Sequence, residues 1–186
     1  MFAITPVKTD TVFLLRHAEA VGAGADDPLT DAGQAASESL VEALEELEVD
    51  GIFASPAARA KATVAPFAEK SGQGVTVMTD LREHRLSLSG HDPDDPLLET
   101  RFTNRAQARP GGESFNAAAV RLRQAIKSIS RRPIRAPLFA THGGLIASLL
   151  SQMDKTYGYG EFQAMPRPAL FKVTHLKGTP RKIEPL

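Results

Sequence analysis

The sequence predicts an α/β fold of three layers, a mostly parallel central sheet with helices on both of its faces. Three observations carry that expectation. Short runs of strand-forming residues recur along the chain, with stretches of helical periodicity between them. The runs are apolar throughout, as in strands buried on both faces. The 186 residues show no internal repeat and no break in composition, so residues 1–186 are expected to form one domain, long enough for a substantial core.

Taken in order, Thr11 to Leu15 (TVFLL) is the first such run, and it ends abruptly at Arg16 and His17. Gly22 to Pro28 has loop composition. Thr30 or Asp31 can cap a helix in which Ala36, Leu40, Ala43, Leu44 and Leu47 recur at helical spacing. Glu42, Glu45, Glu46 and Glu48 lie mainly off that stripe and read as a solvated face, not a metal site. Gly51 to Ala54 (GIFA) is a second strand. Ser55-Pro56 opens the next helix, since a proline near the first turn forfeits no hydrogen bond, and Pro66 should kink or shorten it. Val75 to Met78 is a third strand. From Ser87 to Gly112 the periodicity fails among Pro93, Pro96, Pro110 and several Gly and Asp residues. Residues 87–112 are therefore expected to be an insertion or lid, with a short helix near Leu97 to Arg105. Glu113 or Ser114 opens a long helix carrying Phe115, Ala119, Leu122, Ile126 and Ile129 on one face. Pro137 to Thr141 (PLFAT) is a fourth strand, followed by His142-Gly143-Gly144 and an apolar helix to about Met153. Ala169 to Thr174 is the last strand.

Composition narrows the chemistry. Hydrophobic residues make up 42% and charged residues 24%, the balance of a soluble globular chain. Lys and Arg number 22, as do Asp and Glu, so the formal net charge is zero. That argues against a nucleic-acid partner held by a broadly basic surface, while leaving room for a local basic pocket. The absence of cysteine excludes disulfides, cysteine-ligated zinc and thiol nucleophiles. Met1 to Asp10 lacks the apolar stretch of a signal peptide, and no apolar run is long enough to span a bilayer. The expectation is a cytoplasmic protein with neither a membrane nor a nucleic acid as partner.

Ligands of open parallel sheets bind beyond the C-terminal ends of the strands. Three strand ends here carry unusual residues. The first gives Arg16, His17 and Glu19; the second Ser55 and, one turn on, Arg59; the fourth His142, Gly143 and Gly144. Two guanidinium forks beside two imidazoles suit a dianionic phosphoryl group, and Gly143-Gly144 at a helix start can bring backbone N–H groups to the same anion. Singly, each feature is more often structural: an Arg-His pair caps or faces solvent, a Gly pair turns the chain, an Arg on a helix is solvated. A two-His metal site is the competing reading, and its Arg neighbours would repel a cation.

In these residues the sequence resembles the histidine phosphatase (phosphoglycerate mutase-like) superfamily. Leu14-Leu15-Arg16-His17-Ala18-Glu19 is similar to its Arg-His-Gly signature, and Leu29 to Gly33 to its Leu-Thr-x-x-Gly segment. Its Ser-Pro-x-x-Arg-Ala-x-x-Thr motif is matched by Ser55, Pro56, Arg59, Ala60 and Thr63. Leu81-Arg82-Glu83, Gly112-Glu113-Ser114 and His142-Gly143 resemble its Leu-x-Glu, Gly-Glu-Ser and late His-Gly segments, and Met165 to Val173 its closing strand. Two departures stand out. Ala18 replaces the glycine after the nucleophile, as in the family's phosphohistidine phosphatases. The asparagine that often follows this segment in mutases is absent from Ala20-Val21-Gly22-Ala23, which favours a phosphatase.

The resemblance implies a metal-independent phosphomonoester phosphatase that needs no cofactor and passes through a phosphohistidine. His17 is the implied nucleophile, its other ring nitrogen held by a backbone carbonyl. Arg16, Arg59, His142 and Gly143 are the implied phosphate-binding residues, His142 also serving catalysis. Glu83 is the implied acid for the leaving oxygen, with Glu113 the runner-up and Glu19 behind it. The partner is a small phosphorylated substrate or a phosphohistidine protein. Arg85, Arg101, Arg105 and Arg109 can recognise further anionic groups, although any one of them is more simply a solvent-facing loop residue. The alternatives are mutase-type phosphoryl transfer and a non-catalytic phospho-ligand binding module.

Overall fold

The structure, a computed structural model, describes residues 10–87 and 97–186. The readings made on residues 1–9, and on 88–96 within the expected lid, lie outside these.

Six strands form one sheet in the order β3-β2-β4-β1-β5-β6. They are β1 (Thr11–Arg16), β2 (Gly51–Ala54), β3 (Val75–Val77), β4 (Pro137–Thr141), β5 (Ala169–Leu176) and β6 (Thr179–Pro185). From β3 to β1 every neighbouring pair is parallel. On the other side β5 runs antiparallel to β1, and β6 antiparallel to β5. The helices are α1 (Asp31–Glu46), α2 (Ala58–Ser71), α3 (Leu97–Thr103), α4 (Phe115–Ile129), α5 (Gly143–Met153) and α6 (Tyr159–Ala164).

The apolar runs are unbroken because their residues feed two cores. Val12 and Leu14 of β1, Phe53 of β2 and Phe139 of β4 join α4 and α5 on one face. Phe13 and Leu15, Ile52 and Ala54, and Leu138 and Ala140 join α1 and α2 on the other. This is the three-layer α/β arrangement that the sequence predicts.

Capping follows the sequence closely. Thr30 Oγ1 accepts from Gly33 N at 3.0 Å at the start of α1, and Ser114 Oγ accepts from Ala117 N at 3.1 Å at the start of α4. The inward face of α1 is Gly33, Ser37 and Leu44 with Leu40 and Leu47 beside them, whereas Ala43 is exposed.

Elsewhere the structure departs from expectation. Pro66 does not shorten α2, which continues to Ser71. Thr63 and Val64 before it and Phe67 and Ala68 after it are all buried, so packing on both sides carries the helix through. The sheet also has a strand that periodicity did not show. β6 (TPRKIEP) holds two prolines and three charged residues. An edge strand tolerates both, because one side of its ladder needs no partner. Its turn is Lys177-Gly178, both at positive φ (50° and 79°), the geometry of a two-residue hairpin loop. Gly178 is required there twice over, since a Cβ would stand 2.6 Å from the Lys127 backbone.

The topology places the site. From β1 the chain moves through α1 toward β2, while from β4 it moves through α5 toward β5, on the opposite face. The two adjacent strands thus send their connections in opposite directions, which opens a crevice at their C-terminal ends.

Because Leu14 is wholly buried at the centre of the sheet, Leu14→Ala should lower unfolding free energy by about 3 kcal/mol. Val120→Ala, at an exposed position on α4, should change it by less than about 0.5 kcal/mol. Urea titrations of the two variants provide the comparison.

Candidate active site

Backbone pairing sets the two histidines side by side. The β1–β4 ladder continues one step past the strands through His17 N, which donates to Thr141 O at 2.9 Å. His17 and His142 then leave adjacent parallel strands together, with ring centroids 5.1 Å apart and rings inclined at 69°. Ser55 N donates to Ala140 O at 2.9 Å, bringing the end of β2 to the same level.

The hydrogen bonds define the tautomer of each ring. His17 Nδ1 lies 2.7 Å from Ala18 O. A carbonyl only accepts, so Nδ1 carries the proton and Nε2 carries the lone pair. Arg59 Nε donates to that Nε2 at 3.1 Å. Arg59 Nη2 also donates to His142 Nδ1 at 3.3 Å, which leaves the proton of His142 on Nε2, 2.7 Å from Ser55 Oγ. Its third nitrogen, Nη1, donates to Gly24 O at 2.5 Å. One guanidinium therefore spans both imidazoles. The loop after His17 is held as well: Ala18 N donates to Thr63 Oγ1 at 2.9 Å, and Thr63 Oγ1 donates to Arg59 O at 2.7 Å.

Arg16, the last residue of β1, is buried at 5% exposure. Its Nη1 donates to Met165 O at 2.5 Å, and its guanidinium lies over the Phe162 ring, 5.8 Å from the centroid. Gly143 allows this position, because a Cβ there would stand 2.8 Å from Arg16 Nε. Glu83 reaches the start of α5. Its Oε1 accepts from Leu145 N at 3.0 Å and its Oε2 from Gly144 N at 3.3 Å. The Gly144 amide, expected to face an anion, is thus engaged by a carboxylate of the chain.

These groups line two cavities of about 300 and about 310 Å3 that share Ala23, Arg59 and Glu83. Arg16, His17, Gly143, Phe162 and Arg167 complete the first; Ser55, Arg82, His84, Arg85 and His142 complete the second. Among the described residues no group of three or more acidic or histidine side chains is placed to hold a metal ion. No helix among them is long and apolar enough to cross a membrane.

The model of the histidine phosphatase superfamily, branch 1, matches residues 12–184. The chain belongs to that superfamily. No curated protein matches the sequence. Among solved structures, mycobacterial glucosyl-3-phosphoglycerate phosphatase in complex with inorganic phosphate superposes with a TM-score of 0.73 at 24% identity, over 96% of each chain. A variant of phosphoserine phosphatase from Entamoeba histolytica in complex with phosphoserine gives a TM-score of 0.70 at 15% identity, over 92% of this chain and 93% of that one. At such identities the likeness concerns the fold.

In this histidine phosphatase superfamily member, Arg16, His17, Arg59, Glu83, His142 and Gly143 all border the same cleft. Glu113 is committed elsewhere: Arg121 donates to both its oxygens, at 2.9 and 2.7 Å. Burial pushes its carboxyl up, but Arg121 and Arg82 outweigh that and hold it below the usual range. Glu19 is exposed and accepts from Thr30 Oγ1 at 3.3 Å, at the start of α1. Of the four loop arginines, Arg85 borders the cleft. Arg101 is instead buried, its Nη1 donating to His84 Nδ1 at 2.7 Å and its guanidinium lying over Phe115. Arg105 and Arg109 are not among the residues bordering it. Phe162 and Arg167 were missed. They sit in and after α6, a six-residue helix that the glycines at 158 and 160 disguise as loop.

Burial governs the electrostatics. It pushes His17 down to about 4 and His142 to about 3, against an ordinary 6.5, with the Arg59 charge acting in the same direction on both. Arg16 is lowered to about 10 by burial and then by the charge of Arg167. Both histidines are therefore neutral at neutral pH. Their imidazole NMR resonances should stay unmoved from about pH 8 to about pH 5, where an unshifted histidine titrates near 6.5. The sign for stability follows. As pH falls from 6.5 toward about 4, the unfolded chain takes up protons that folded His17 refuses, so stability declines through that window. A His17 midpoint near 6.5 would contradict the buried neutral pair.

Proposed function

We propose that this chain hydrolyses phosphomonoesters through a phosphohistidine formed on His17. The observation that carries the reading is the lone pair of His17 Nε2, fixed by the Ala18 carbonyl on the far side of the ring and bordered by Arg16, Arg59 and His142. A neutral imidazole with its tautomer locked is a nucleophile ready at neutral pH.

In the first step Nε2 forms a bond to phosphorus as the bond to the leaving oxygen breaks, and the Glu83 carboxyl gives its proton to that oxygen. In the second, Glu83 takes a proton from water, the water oxygen bonds to phosphorus, and the N–P bond breaks. Inorganic phosphate leaves, and both residues return to their starting forms. The Arg59 fork exchanges its two imidazole acceptors for phosphoryl oxygens, and Arg16 supplies the second fixed positive charge. His142 donates to the same oxygens after a change of tautomer. Its partner Ser55 is a hydroxyl, which accepts from Nε2–H in one tautomer and donates to Nε2 in the other, so the change costs no hydrogen bond. Glu83 is favoured over Glu113 because it borders the cleft with His17 and accepts from backbone amides, while Glu113 is paired with the Arg121 guanidinium, which holds it ionised. Arg101 of α3 holds His84, the residue after Glu83.

Turnover of p-nitrophenyl phosphate, unaffected by chelator, tests the reaction class, and His17→Ala should abolish it together with any acid-labile phosphate on the protein. With 3-phosphoglycerate, release of inorganic phosphate separates this reading from a mutase, which would yield 2-phosphoglycerate. Glu83→Gln should lower kcat/KM for an alkyl phosphate by roughly 10²–10⁴, and much less for p-nitrophenyl phosphate, whose phenolate leaves with little help. Equal losses on the two substrates would remove Glu83 from the acid role.

A further inference from the structure

Arg167 is the charged residue of the His17 cavity that the scheme above does not use. It borders the same cavity as Arg16, His17, Arg59, Glu83 and Gly143. It is exposed, and among the described residues its side chain has no hydrogen-bond or ion-pair partner. The other arginines of that cavity are committed, as is Arg82 of the adjoining one, where Arg85 stays exposed. Arg16 donates to Met165 O, Arg59 to His17, His142 and Gly24, and Arg82 lies 3.6 Å from Glu113. The acidic residue bordering that cavity, Glu83, is held on the α5 N-terminus. An arriving anion therefore meets no internal competitor for Arg167.

The position of Arg167 is fixed as well as free. It lies between Pro166 and Pro168, whose rings restrict the backbone. The carbonyl of Met165 just before it binds Arg16 Nη1 at 2.5 Å, and that of Pro166 lies 3.5 Å from the same nitrogen. The residue that contacts the phosphoryl group thus anchors the segment that carries Arg167. With Glu83 protonated, as the first step of the scheme requires, a phosphoryl dianion balances Arg16 and Arg59 and leaves a third positive charge unmatched. That charge already bears on both arginines: it lowers the proton affinity of Arg16 second only to burial, and that of Arg59 more weakly than burial and against the opposing charges of Glu83 and Asp27.

We propose that Arg167 selects phosphomonoesters whose leaving group carries a second anionic group, a carboxylate or a further phosphate. Val21, 64% exposed, and Phe162 border the same cavity and give the body of such a leaving group apolar surfaces to lie against. The assignment rests on the phosphatase reading for what the ligand is, and on charge for how it is held.

Calorimetric binding to His17→Ala protein, which holds ligands without turning them over, separates recognition from chemistry. Two matched pairs are needed. Phosphoserine against phosphoethanolamine isolates a carboxylate; fructose 1,6-bisphosphate against fructose 6-phosphate isolates a second phosphate. The member with the extra anion in at least one pair should bind roughly tenfold more tightly, the size of a charge-assisted hydrogen bond. Adding Arg167→Ala should erase that preference, Arg167→Lys should keep part of it, and Arg85→Ala, across the cleft, should keep it. The pair that responds identifies the anion. No preference in either pair, a preference that survives Arg167→Ala, or one lost with Arg85→Ala instead, would overturn the proposal. Failure of the phosphatase reading appears separately, as absent p-nitrophenyl phosphate turnover by the unaltered protein.

Discussion

The hydrogen bond from His17 N to the Thr141 carbonyl is the constraint on which the site depends. It continues the parallel ladder by one step, so the residues leaving β1 and β4 emerge together. Two imidazoles with centroids 5.1 Å apart oppose each other's protonation, and burial keeps both neutral at neutral pH. What can stand beside both is a donor with no acceptor character, and the Arg59 guanidinium is such a group. The motif that supplies Arg59 also supplies Ser55 for the far nitrogen of His142 and Thr63 for the peptide after His17. One strand-to-helix segment thus fixes the surroundings of both rings.

The price is an excess of positive charge inside the protein. Arg16 and Arg59 are each 5% exposed, and carbonyls and ring nitrogens, rather than carboxylates, are their hydrogen-bond partners. Buried charges are normally paired. Close by, Arg121 and Glu113 show what a satisfied pair looks like, bidentate at 2.9 and 2.7 Å. The contrast sets Arg121, which ties loops together, against Arg16 and Arg59, whose charge no carboxylate hydrogen bond offsets among the described residues.

Much of this was legible in the sequence because it depends on local pattern. The run from Thr11 into Arg16 and His17 marked a buried strand ending in chemistry, and Ser55-Pro56 and His142-Gly143 followed comparable runs. The caps Thr30 and Ser114 were legible for the same reason. What escaped depends on neighbours distant in the chain. β6 has one apolar residue, Ile183, and is a strand because β5 offers it an edge. Arg101 resembles any loop arginine until His84 and Phe115 are seen beneath it. Glu83 reads as the better acid and Glu113 as the runner-up, and the pairing of Glu113 with Arg121 is something neither motif shows. Pro66 misled because its penalty is local, whereas the packing that offsets it is not.

The placement of Glu83 has a wider effect. The N-cap residue of α5, His142, makes no side-chain capping bond, and a carboxylate from another segment accepts from the amides of the first turn instead. That carboxylate is also the group proposed to carry the proton. A protonated carboxyl is a poorer acceptor and no longer complements the positive end of the helix. Proton affinity at Glu83 and order in the first turn of α5 are consequently a single linked equilibrium, with reciprocal effects. Whatever stiffens that turn favours release of the proton, and whatever frays it favours uptake.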